Sequence, residues 1–144
     1  MEELSKHFSQ SEFACPHCGK AIVKQKLVDA LEELRSLANR PIEISSGYRC
    51  PKHNKAVGGA SGSQHKLGTG ADISIEGLTV EEMYGLAEKV AAFSRGGLGL
   101  YDDGHLHVDV RSGRAQWAKI NGKKVSIQDF FAHNSPTGNA GVSS

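Results

Sequence analysis

The sequence predicts a single domain of the α+β class. Two stretches carry the three-and-four spacing of amphipathic helices, several shorter ones alternate as strands do, and no linker-like or repeated segment separates them. At 144 residues the chain is the size of one ordinary domain and long enough to bury one core. Residues 1–134 are expected to form that domain, and residues 135–144, rich in Ser, Gly, Asn and Thr, a flexible tail.

The first helix spans residues 24–39, where Leu27, Ala30, Leu31, Leu34, Leu37 and Ala38 share a face opposite Asp29, Glu32, Glu33 and Arg35. Pro41 stops it, and Ile42-Glu43-Ile44-Ser45 alternates as a short strand. Residues 47–70 show neither period and read as one long loop carrying Arg49, His53 and His65. Loops of that length inside a compact domain are usually functional or disordered, and these polar side chains favour function. Ala71-Asp72-Ile73-Ser74-Ile75 alternates again, with Asp72 and Ser74 on one face. Thr79 and Glu82 make a capping box that opens a helix running through Phe93, closed by Gly96-Gly97. Residues 98–100 and 105–110 read as strands joined by the turn Asp102-Asp103-Gly104. Asn121-Gly122 marks a hairpin between Ile120 and Val125, and residues 127–132 a short terminal helix.

A hydrophobic fraction of 38% and a charged fraction of 23% are those of a soluble globular protein. The net charge of +1 gives no global field for nucleic acid or an anionic membrane, so neither is expected as a partner. The first residues have no signal-peptide pattern and no stretch reaches transmembrane length, which predicts synthesis in the cytoplasm without membrane insertion. Three cysteines are too few and too odd in number for a disulfide framework.

Chemistry concentrates in two segments, residues 63–72 and 104–109. A catalytic zinc takes three protein ligands of His or carboxylate type and leaves one position open. His65, Asp72 and His107 supply that set, with Gly68 and Gly70 allowing the tight turn between the first two. His105 lies two residues before His107 and shares its strand face. A second zinc is the other metal possibility. Cys15-Pro16-His17-Cys18-Gly19 is half of a structural site, and Cys50-Pro51-Lys52-His53 repeats the two-residue gap. Cys15, Cys18, Cys50 and His53 would make a Cys3His tetrahedron, with free thiols as the alternative.

Ser45-Ser46-Gly47-Tyr48-Arg49-Cys50-Pro51, Val57-Gly58-Gly59-Ala60, the spacing of His65, Gly68, Ala71 and Asp72, and His107-Val108-Asp109-Val110-Arg111 together resemble the M15 zinc peptidases. The match is to their D-Ala-D-Ala carboxypeptidase-like branch, common in phages and prophages, and it runs from His7 through Trp117. The resemblance implies a small fold shared with the Hedgehog signalling domain, an antiparallel sheet with flanking helices, and one catalytic zinc. It implies cleavage of peptidoglycan stem peptides at bonds involving D-amino acids, by a carboxypeptidase or an endolysin-like endopeptidase. The alternative is a non-catalytic, zinc-stabilised binding module of the Hedgehog-like fold. By the same resemblance the protein acts on the cell wall as a monomer after lysis or holin-type release.

Within the resemblance Arg49 faces substrate, Ser63 and Gln64 contribute to substrate binding, and Asp109 orients a histidine ligand. Relatives often carry an acid three positions before the last histidine ligand, where this chain has Gly104. Asp103 is therefore the preferred general base, with His105 as its rival or orienting partner.

Overall fold

A computed structural model describes residues 4–59 and 62–133. Ala60 and the expected tail, residues 135–144, lie outside the described residues.

The first apolar face becomes helix α1, Gln25–Ala38, which buries Leu27, Val28, Ala30, Leu31 and Leu34 along one stripe. Leu37, expected on that face, is 44% exposed. The helix stops before Pro41 can act: Asn39 adopts the left-handed conformation at φ 54° and donates its N–H to the Arg35 carbonyl.

Residues 47–70 are not one loop. They contain helix α2, Pro51–Ala56, and a 3-10 turn, Gln64–Leu67. Neither has an apolar period, because each buries only one residue, Asn54 and His65 respectively. Helix α2 starts for local reasons, with Pro51 in its first turn and the His53 N–H donating to Cys50 Sγ.

The second helical stretch is also divided, into α3, Val80–Ala87, and α4, Ala91–Ser94. The Thr79–Glu82 capping box is present. At its far end Lys89 and Val90 donate to carbonyls only three residues back, and Val90 turns extended at φ −93° and ψ 111°. That break turns both Val90 and Phe93 fully inward.

Six strands form one sheet: β1 Glu43–Ser46, β2 Gly70–Ser74, β3 Gly97–Tyr101, β4 Leu106–Asp109, β5 Ala115–Ile120 and β6 Lys123–Val125, in the order β1-β2-β4-β3-β5-β6. Every pairing is antiparallel except β3 with β5, which is parallel. The parallel pair arises where the chain leaves β4, crosses the end of β3 and enters β5 on its far side. Gly96 permits the crossing, since a Cβ there would stand 2.3 Å from the Asp109 carbonyl oxygen. Asn121 and Gly122, both at positive φ, make the β5–β6 hairpin. Helix α5, Ile127–His133, packs on β5.

Strand alternation separates core from site. Ile73, Leu106, Leu100 and Ala118 lie side by side across four strands, Ala71, Val108 and Leu98 across three, and all seven are fully buried. Helices α3 and α4 cover that apolar face, with α1 packed on both. The opposite face carries the row Asp72, His107, Gly99 and Trp117. Among the described residues no helix is long and apolar enough to cross a membrane.

Candidate metal centre and its cleft

Asp72 and His107 are cross-strand partners on β2 and β4, so their side chains rise together from the polar face. His65 joins them from the 3-10 turn, whose start is capped by Ser63 Oγ accepting the His65 N–H at 3.1 Å. Gly68, at φ 74°, then reverses the chain into β2. His65 Nε2 stands 3.2 Å and His107 Nδ1 3.1 Å from Asp72 Oδ1. The three donor atoms lie within 4.8 Å of one another, and the residues are only 3%, 8% and 6% exposed for His65, Asp72 and His107.

The outer nitrogens of the two rings define the inner ones. His65 Nδ1 donates to the Gly47 carbonyl at 2.7 Å, and His107 Nε2 to Asp109 Oδ2 at 2.7 Å. With those protons directed outward, both inner nitrogens of the neutral rings turn lone pairs toward the Asp72 carboxylate. Three acceptors converging on one buried point need a proton or a cation between them. Two imidazoles and a carboxylate are the donor set of a catalytic zinc, and the outer hydrogen bonds are those that fix ligand tautomers in such sites. The residues fit the metal.

Asp109 is fully buried, and Arg111 grips it through Nε and Nη2, the latter at 2.7 Å. Burial alone would raise the Asp109 carboxyl, but the bonds from His107 and Arg111 hold it well below the usual carboxylate range. Burial likewise opposes ionisation of Asp72, and in the metal-free centre, where protons fill the gap between the carboxylate and the inner nitrogens, the bonds from His107 and His65 prevail and hold it low. Both folded pKa values therefore lie below the unfolded ones. Their stabilisation is fully present above about pH 4 and lost as the pH falls below it. Urea midpoints of the metal-free protein should decline from pH 5 to pH 3, and less steeply in Asp109→Asn; an unchanged slope would show that Asp109 contributes no linkage.

Around this centre lies a cleft of about 530 Å3. Arg49 enters it, held by Ser46 Oγ, Asn54 Oδ1 and Asp72 Oδ2 at 3.2–3.3 Å. Ser63 and Gln64 line the rim. His105 also faces inward, with Nε2 3.9 Å from Asp72 Oδ2 and its ring stacked on Tyr101 at 4.2 Å between centroids.

Asp103 occupies a different position from the one expected of a base. Its side chain is 68% exposed and turned back onto His105, accepting the His105 N–H at 3.0 Å and approaching its Nδ1 at 2.5 Å. The cause is the turn at Gly104, φ 101°, which bends the chain so that Asp103 stands behind His105 and outside the cleft lining.

The spacing of polar motifs did not reveal Tyr101, Trp117, Lys119 or Lys124, all in the cleft wall. Trp117 spans the side-chain-free position at Gly99 to reach His107, with ring centroids 5.1 Å apart, and donates its Nε1–H to the Tyr101 hydroxyl. A Cβ on Gly99 would meet the indole at 2.4 Å. Gly99→Ala should therefore displace the indole at a cost of about 1–3 kcal/mol. Because Trp117 is the only tryptophan, a red-shifted fluorescence spectrum would report the displacement and an unchanged one would refute it.

The second cysteine group also assembles in part. Cys15, Cys18 and Cys50 place their sulfurs within 4.8 Å of one another, while His53 is not among the converging donors. Its ring instead stacks on His17, with centroids 6.4 Å apart and planes 9° from parallel.

A family model described as Peptidase M15 matches residues 1–109. No curated protein matches the chain.

Proposed function

The chain belongs to the M15 peptidase family, a zinc-dependent family of hydrolases, and from that premise we propose that it cleaves peptidoglycan stem peptides at bonds involving D-amino acids. The observation that carries the metal assignment is the convergence of His65 Nε2, His107 Nδ1 and Asp72 with both outer ring nitrogens already engaged. These three residues would hold the zinc. When bound, it supplies a Lewis acid for the scissile carbonyl and a lowered pKa for the attacking water.

The protein's own groups account for the rest. His105 takes the proton of the attacking water at Nε2 and returns it to the leaving amine, which reverses the sequence preference for Asp103. Asp103 holds the ring through Nδ1, so that Nε2 is the basic nitrogen facing the centre. Tyr101 fixes the ring plane by stacking. Arg49, preorganised by its three acceptors, offers a fixed cation for charge developing on the carbonyl oxygen or for a substrate carboxylate.

The cleft supports a carboxylate-bearing peptide. Arg49, Arg111, Lys119 and Lys124 line it, against Asp72 as its one acidic lining residue among those described. The cell wall as the place of action, the D-Ala-D-Ala carboxypeptidase-like branch and the phage endolysin type belong to the same proposal.

Mass spectrometry of products from defined muropeptides tests it. Loss of a terminal D-alanine identifies a carboxypeptidase and an internal cut an endopeptidase. Intact muropeptides after incubation with zinc-loaded protein would overturn the enzymatic reading in favour of a binding module.

A further inference from the structure

We propose that Cys15, Cys18, Cys50 and His53 form a second, structural zinc site, separate from the centre at His65, Asp72 and His107. The sulfurs come from two distant parts of the chain and converge within 4.8 Å, with Cys15 buried, Cys50 partly so and Cys18 exposed. That arrangement asks for a shared ligand, because a disulfide would join two of them and leave the third sulfur alone against it.

The local backbone is built for sulfur ligands. Cys15 to Cys18 is a tight turn closed by the Gly19 N–H on the Cys15 carbonyl and the Cys15 N–H on the Lys20 carbonyl. Gly19, at φ 77°, immediately follows the second cysteine and lets the chain turn away from it. The Cys50 N–H points at Cys15 Sγ at 3.5 Å and the His53 N–H at Cys50 Sγ at 3.4 Å. Main-chain donors aimed at sulfur stabilise thiolates, the form in which cysteine binds a metal. The two-residue gap between Cys15 and Cys18 is within the range of structural zinc ligands.

The fourth ligand is His53. It lies three residues after Cys50 in the first turn of α2, and so on the same helix face. Its ring stands beside the Cys15–Cys18 turn, stacked on His17, and the proposed site requires that side chain to turn from His17 toward the sulfurs. Binding displaces three thiol protons to solvent and leaves His53 neutral. The site would tie residues 15–18 to the segment that carries Arg49, one residue before Cys50, and so hold the Arg49 backbone in place beside the catalytic cleft.

Zinc content of the reduced full-length protein decides the matter, with His107→Ala used to empty the first centre. The expected values are two equivalents in the wild type, one in His107→Ala and one in Cys18→Ser. X-ray absorption on His107→Ala should show zinc–sulfur distances of about 2.3 Å from three sulfurs and one nitrogen neighbour. His53→Ala added to His107→Ala should lose the nitrogen neighbour, whereas His17→Ala should keep it. A His107→Ala protein without zinc, or with zinc and no sulfur neighbour, overturns the site. A wild-type mass 2 Da low under non-reducing conditions does the same, in favour of a disulfide. Loss of the nitrogen in His17→Ala and not in His53→Ala overturns the assignment of the fourth ligand. Because the metal content is read in a variant that lacks the first centre, failure here leaves the peptidase proposal standing.

Discussion

Replacing His107 with Ala is expected to abolish hydrolysis, lowering kcat/KM by about 10^3-fold or more and removing one equivalent of zinc per chain. The magnitude follows from losing several kcal/mol of carbonyl polarisation and water activation, at about 1.4 kcal/mol per tenfold in rate. The substitution also uncovers a second fault. Asp109 is fully buried and divides its charge between His107 Nε2 and Arg111, so without the imidazole only Arg111 remains to balance it. Leaving a buried acceptor without one of its hydrogen-bond donors costs about 1–3 kcal/mol. His65→Ala should match the loss of zinc and activity at a smaller cost in stability, because His65 Nδ1 bonds only the neutral Gly47 carbonyl. Elemental analysis and thermal denaturation of the two variants separate the metal effect from the folding effect. Retention of full zinc content by either variant would mean the metal is held elsewhere.

The second large effect concerns proton transfer. His105→Ala should keep its zinc and lower kcat by about 10^2- to 10^4-fold, the usual contribution of a positioned acid or base. Asp103→Asn should be milder, about tenfold, because it leaves Nε2 in the cleft and only loosens the ring. If Asp103→Asn is as damaging as His105→Ala, Asp103 itself is the base.

The parts of this molecule readable from sequence are those with a regular period or a fixed motif spacing. Residues 24–39 announce α1 because burial on one stripe forces the three-and-four pattern. The pairing of Asp72 with His107 follows once both strands are recognised, since alternation puts both on the polar face. Elements held by local contacts are silent. Helix α2 rests on a sulfur accepting a main-chain N–H and on Pro51, and the division between α3 and α4 on the extended backbone of Val90. Strand β5 carries the same lesson. Ala118 packs inward and Trp117 outward, yet only the Asn121-Gly122 signal at its end is visible, so the tryptophan beside His107 goes unnoticed. The order of Asp103 and His105 depends on one positive φ at Gly104, which spacing does not encode.

Anomalous scattering at the zinc edge, from crystals of the wild-type protein, locates the metal itself. A peak is expected about 2.0–2.2 Å from His65 Nε2, His107 Nδ1 and an Asp72 carboxylate oxygen, with the outer nitrogens still bonded to Gly47 and Asp109. No peak among those three atoms in zinc-loaded crystals, or one coordinated through His107 Nε2, would contradict that placement.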